Sequence, residues 1–132
     1  MSHGFVTRSL GPSPDAMAPD GSEVRLLAAA SRGSMAHFKL LPGQVSQAVA
    51  HHTVEELWFI VNGHGRMWRK LAEIEQTIDI GPGVSLSIPL GTHFQFRSLT
   101  DEPLRAIGVT MPPWPGEKEA VPVSGPWPCA SA

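Results

Sequence analysis

Cysteine is almost missing from this chain. Its one example, Cys129, lies near the C-terminus and has no second thiol with which to form an internal disulfide. Surplus charge is missing too, since 10 Lys and Arg face 12 Asp and Glu. Without a basic run there is no electrostatic footprint of a nucleic-acid binder, and no nucleic-acid partner is expected. No apolar stretch approaches the ~20 residues a membrane helix needs, and the first residues lack the charged-then-apolar layout of a signal peptide. The expectation is a soluble, cytoplasmic protein with no membrane partner. Serine-nucleophile motifs, phosphate-cradling glycine loops and paired cysteines for zinc are likewise absent. Gly63-His64-Gly65 reads as a hairpin, not a dinucleotide fingerprint.

What the chain has in quantity is punctuation. Its 132 residues suit one domain, and 13 glycines and 13 prolines fall between short apolar runs. Each interruption stops a long helix, which favours an all-β chain. Residues 1–22, with Pro12, Pro14 and Pro19, read as an arm that is mobile or lies across a partner. Residues 23–111 read as the barrel, and 112–132 as a Pro/Trp-rich tail whose Trp114 and Trp127 act as packing or interface anchors.

Within the barrel, strands are expected over 24–30, 35–41, 44–51, 57–61, 64–70, 77–80, 84–88, 92–99 and 104–111. The run Leu57 to Val61 is the clearest, with aromatic and β-branched residues ending at Asn62-Gly63. That dipeptide suits a type I′ hairpin turn, with 64–70 as the returning strand. Spacing of about ten residues per strand points to a sandwich or barrel.

The chemistry gathers just before that run. His51 and His52 precede Glu55 and Glu56, and imidazole beside carboxylate at the mouth of a buried strand suits a metal or a proton-transfer site. Without a metal, Glu56 with an adjacent histidine, His52, would act as general acid and base on a sugar or carbonyl compound. Burial would raise the carboxyl pKa toward neutrality. An ion pair of Glu56 with Arg66, Arg69 or Arg97 is the structural alternative. Trp58, Met67, Trp68, Phe94 and Phe96 either line a ligand cavity or form core. Strand alternation poses a sharp choice over 93–97. Either His93, Gln95 and Arg97 face the interior and make it polar, or Phe94 and Phe96 do and make it greasy. In the polar register, Gln95 and Arg97 would be satisfied by an anionic or carbonyl-bearing ligand.

Two stretches resemble the motifs of the cupin superfamily, G-x5-H-x-H-x3or4-E-x6-G and G-x5-P-x-G-x2-H-x3-N. Glu56 and Gly63 fit the end of the first, with His52 three residues before Glu56. Gly83, Pro89 and Gly91 fit the start of the second. The likeness is detailed over residues 43–98. It departs at Ala50, where the leading histidine would stand if His52 is the second. It departs again at Phe94 and Ser98, which take the second motif's His and Asn positions. The resemblance implies a cupin-like double-stranded β-helix, a jelly-roll barrel with a central pocket. It implies a divalent metal (Zn, Fe, Mn or Ni) on His52, Glu56 and His93, with His51 as substitute or supporting donor, although a site without metal is as well supported. The activity implied is isomerisation, epimerisation or oxygenation of a sugar-like or carboxylated small molecule, with Trp58 and Trp68 beside Gln95 and Arg97 as ligand contacts. The rival is a metal-free, non-enzymatic module, a ligand-binding or structural dimer, favoured if Phe94 and Phe96 point inward and close the cavity. With its arm and its tail, the chain is expected to form a homodimer.

Overall fold

The computed structural model describes residues 4–129. Its strands are β1 (Ala16–Met17), β2 (Glu23–Ala30), β3 (Gly33–Leu40), β4 (Val49–His51), β5 (Glu55–Asn62), β6 (Gly65–Leu71), β7 (Ile74–Ile80), β8 (Ser85–Ile88), β9 (His93–Ser98), β10 (Leu104–Met111) and β11 (Ala120–Pro122), with a single 3-10 turn at Glu117–Glu119. They build two antiparallel sheets, ordered β1-β2-β3-β10-β5-β8 and β11-β4-β9-β6-β7, around a common core. This is an all-β jelly-roll barrel. Among the described residues no helix is long and apolar enough to cross a membrane.

β5 shows why the sequence settles this way. Glu56, Trp58 and Ile60 are buried while Glu55, Leu57, Phe59 and Val61 are exposed, so an unbroken apolar run still buries only every second residue. β10 repeats the pattern, with Leu104, Ala106, Gly108 and Thr110 turned inward. The core they meet contains Trp58, Met67, Phe94 and Phe96. Each side chain of that size contributes roughly 1.5–3 kcal/mol by leaving water. On the outside, Met35, Leu57, Phe59 and Val61 leave an apolar stripe.

Asn62-Gly63 does not close a hairpin. β5 pairs with β10 and β8, whereas β6 pairs with β7 and β9, so the dipeptide carries the chain from one sheet to the other. A type I′ turn needs positive φ at both central residues. Only Gly63 has it (φ 81°), and the hairpin after β6 instead turns at Ala72 (φ 53°). Residues 44–51, expected as one strand, are extended only at β4 and at an isolated bridge from Val45 to Arg97.

Both ends of the described chain lie on the barrel. Buried Arg25 on β2 donates to the carbonyls of Gly11 (2.9 Å) and Pro12 (3.1 Å), and the Asp15 carboxylate accepts from Leu26 N at 2.7 Å. These bonds bring residues 16–20 along the barrel mouth. At the other end β11 adds to the free edge of β4, the position a proline-containing strand tolerates.

Gly63 and Gly83 (φ 90°) share the left-handed strain that any side chain would meet, but only Gly63 is crowded. A Cβ there would meet the Pro103 carbonyl and the Leu104 Cα, whereas Gly83 has open space. Gly63→Ala is therefore expected to cost at least ~2 kcal/mol and Gly83→Ala only about 1. Urea unfolding of the two variants measures the difference, and equal losses would contradict it.

Candidate functional site

A cavity of about 470 Å³ opens between the sheets. Phe38, Trp58, Phe94 and Trp114 supply its aromatic walls, and Met17 and Pro19 of the arm close one side. Phe38 and Trp58 stack at 5.3 Å, while Phe94 meets Trp58 edge-on at 6.2 Å. Few polar groups interrupt this lining. Two of them, His51 and Glu56, touch each other.

His51 ends β4 and Glu56 stands near the start of β5, both pointing inward. Their Nδ1 and Oε1 atoms are 3.1 Å apart, with the side chains 6% and 3% exposed. The other carboxyl oxygen accepts from the Trp58 indole N–H at 2.9 Å. Burial pushes Glu56 up to about 7, against the lowering pull of the Trp58 hydrogen bond and with help from the nearby Asp20 carboxyl. Burial pushes His51 down to about 4, against the opposing influence of Glu119. Between about pH 4 and pH 7 the contact is thus a neutral pair, a close approach in which His51 Nδ1 makes no hydrogen bond.

The turn between these two residues is held from the tail. Glu119 accepts from Thr53 N (2.6 Å), Thr53 Oγ1 (2.6 Å) and Val54 N (2.9 Å), and its own carbonyl accepts from His52 N at 3.0 Å. Desolvation pushes the Glu119 carboxyl up, but these hydrogen bonds outweigh it and hold the pKa below its usual value. The ring of His51 lies edge-on to Trp114 (5.2 Å) and to Phe94 (5.3 Å). Tail and barrel therefore position the imidazole jointly.

Of the residues singled out in the sequence, His51, Glu56, Trp58 and Phe94 come together in the cavity, and His52, His93, Gln95, Arg97 and Trp68 do not line it. His52 is exposed one residue past His51, on the opposite side of the chain. Opposite Val49 and Ala50 on β4 stand Phe94 and His93, so the inward row is Val49 with Phe94 and the outward row carries His93. The greasy register holds, but Phe94 and Phe96 do not close the cavity.

Gln95 and Arg97 turn outward with His93. Gln95 is buried there under the tail, donating to Ser46 O (2.9 Å) and Trp127 O (2.8 Å) and accepting from Trp127 N (3.1 Å). Arg97 lies over the Trp127 ring at 5.5 Å. Trp68, paired with Gln95 across β6 and β9, donates to Glu75 at 2.8 Å. These side chains hold the tail and the outer sheet face. Nor does Glu56 form the alternative ion pair, since Arg66 bonds Asp79 and Arg69 bonds Gln76 and the Ser87 carbonyl.

A metal fits this donor set poorly. Protein zinc and iron sites draw on three or four side-chain donors, and only His51 and Glu56 converge, because Phe94 occupies the facing inward position. Among the described residues no group of three or more His, Cys, Asp or Glu is placed to hold a metal ion. The sequence reading missed Phe38, Ser34, Thr110 and Trp114 as cavity residues. Alternation in the strands of 35–41 and 104–111 would have offered Phe38 and Thr110, whereas nothing local marks Trp114.

Fold and cavity together define a small jelly-roll barrel with an interior pocket. Residues 36–110 match the family model described as Cupin domain. The chain belongs to the cupin domain family. No curated protein matches it. Among solved structures it is similar to oxalate decarboxylase from Bacillus subtilis at pH 4.6 (16% identity, 92% of this chain and 33% of that one, TM-score 0.74). It is similar also to BH2720 from Bacillus halodurans (15%, 78% and 76%, 0.63) and to the Drosophila melanogaster CENP-C cupin domain (13%, 69% and 66%, 0.63). The chain spans about a third of the oxalate decarboxylase chain. At these identities the likeness is one of fold.

The opposed shifts of the pair have a consequence for stability. From about pH 4.5 to 6.5 the native state holds a proton on Glu56 and the unfolded state holds one on His51, so unfolding takes up none from this pair. Glu56→Gln removes one half. His51 alone then binds protons only when unfolded, so the variant should gain stability with rising pH relative to wild type. The expected gain is up to ~1.4 kcal/mol per pH unit. Urea unfolding of both proteins at pH 5 and pH 6 reads this, and parallel pH profiles would contradict the neutral pair.

Proposed function

We propose that this cupin binds a small, largely apolar molecule and moves a proton on it, with Glu56 as the acid and base and the neutral His51 ring packed beside it. The observation that carries the reading is the 3.1 Å contact between them at the wall of an aromatic cavity of about 470 Å³. A general base serves best when its pKa lies near the working pH, and burial has brought Glu56 there. A sugar suits such walls poorly, since its many hydroxyls would lose water and find few partners. Among the described residues only two potential metal donors, His51 and Glu56, converge here, and the proton moves on the Glu56 carboxyl itself. Isomerisation by removal and return of a proton is the class of reaction these groups support.

A second reading, binding without turnover, is favoured by the inward Phe94 and Phe96, and it is the alternative the test must separate. Phenylacetone, an aromatic ketone with exchangeable C–H bonds, is incubated with the protein in D2O and followed by proton NMR. Exchange should exceed the buffer rate, rise with pH to about 7 and level off as Glu56 ionises. Glu56→Gln should lower the protein-dependent rate by at least ~10²-fold while the fold persists. Binding without exchange, or exchange that Glu56→Gln leaves unchanged, would contradict the proposal.

A further inference from the structure

Beside Glu56 lies a second polar feature to which the sequence gives no role. Ser34 on β3 and Thr110 on β10 both line the cavity, and their hydroxyl oxygens are 2.6 Å apart. Thr110 is only 5% exposed and sits directly opposite Glu56 across the β10–β5 ladder. Directly opposed inward side chains have Cβ atoms about 5 Å apart, so one bound molecule can touch both.

The protons of this pair can be counted. Two hydroxyls carry two protons, and the contact between them uses one. Trp114 N donates to Ser34 Oγ at 2.9 Å, which fills an acceptor site and supplies none. Neither hydroxyl has another acceptor among the described residues. Whichever way the shared bond runs, one hydroxyl proton is left over. It belongs to a group lining an aromatic cavity, where an unmade hydrogen bond is costly. Such a donor calls for an acceptor brought in by the ligand.

We infer that Ser34 and Thr110 form an oxygen subsite, and that the ligand is a carbonyl compound with an apolar body whose C=O oxygen rests on this hydroxyl pair while a C–H bond on the neighbouring carbon faces Glu56. The inference rests on the proposed proton transfer and specifies its substrate class. The chemistry balances without any co-reactant. The Glu56 carboxylate takes the proton as the C–H bond breaks. The bonding pair becomes the C=C bond of an enolate, and the carbonyl π pair moves onto oxygen, where the spare hydroxyl proton meets the new charge. Return of the proton from Glu56 to carbon restores the carboxylate. A hydrogen bond aimed at oxygen is worth more to the enolate than to the ketone, which is how such a subsite would accelerate exchange.

The test compares phenylacetone with n-propylbenzene, which has a similar shape and no oxygen, using quenching of the cavity tryptophans to read binding. Wild type should bind the ketone about tenfold more tightly. The double variant Ser34→Ala/Thr110→Val should bind both alike, with the hydrocarbon held as in wild type, and should exchange the ketone's C–H protons at least tenfold more slowly. Unchanged hydrocarbon binding is the control for folding, and Thr110→Val alone, which keeps Ser34 for Trp114 N, is the milder variant should the double one fail it. Thr110→Val should then narrow the discrimination. A ketone preference that survives the variants, or none in wild type although both probes bind, would overturn the subsite and leave the cavity reading standing. Failure of both probes to bind wild type would overturn both.

Discussion

A strand can offer a barrel interior only every second side chain, and the whole site follows from which half β9 offers. Val49 faces Phe94 on the inside and Ala50 faces His93 on the outside. That one register puts an aromatic ring where a third metal donor would stand, and sends Gln95 and Arg97 to the tail. A shift by one residue would invert every consequence. The cavity would become polar and the tail would lose Gln95, the side chain that exchanges hydrogen bonds with Trp127.

Given that register, burial decides the chemistry. Glu56 is buried beside Trp58 and His51, where a charged carboxylate is poorly solvated. It therefore keeps its proton to about pH 7, while His51, desolvated beside it, stays neutral to about pH 4. A low-dielectric wall makes such a pair responsive to whatever binds against it. The surrounding structure fixes its geometry. Glu119 clamps the turn between the two residues, and Trp114 packs against the imidazole, so the tail forms part of the site although it lies outside residues 36–110.

Much of this was legible in the sequence. The strand Leu104–Met111 is found with the expected bounds, and Glu56, Gly63, Gly83 and Gly91 mark the motif ends that identify the barrel. Parity was harder to read, because 93–97 alternates well in either direction and both faces are covered, one by the core and one by the tail. The adjacent histidines pose the same problem. Only His51 can point inward once Val49 does, and local sequence does not say so. Asn62-Gly63 misleads because positive φ at one glycine serves a corner between sheets as well as a hairpin. Trp114 and Glu119 were beyond reach, since they meet the site through long-range packing of an irregular segment.

The central claim is that Glu56 and His51 form a buried neutral pair at the cavity wall. It is tested most directly by following the Glu56 side-chain carboxyl and the His51 ring by NMR through a pH titration of protein labelled with 13C and 15N. The account predicts a Glu56 carboxyl that ionises at about pH 7 and an imidazole that stays neutral until about pH 4. Glu56 titrating near 4.5 with His51 near 6.5, their ordinary values, would contradict it.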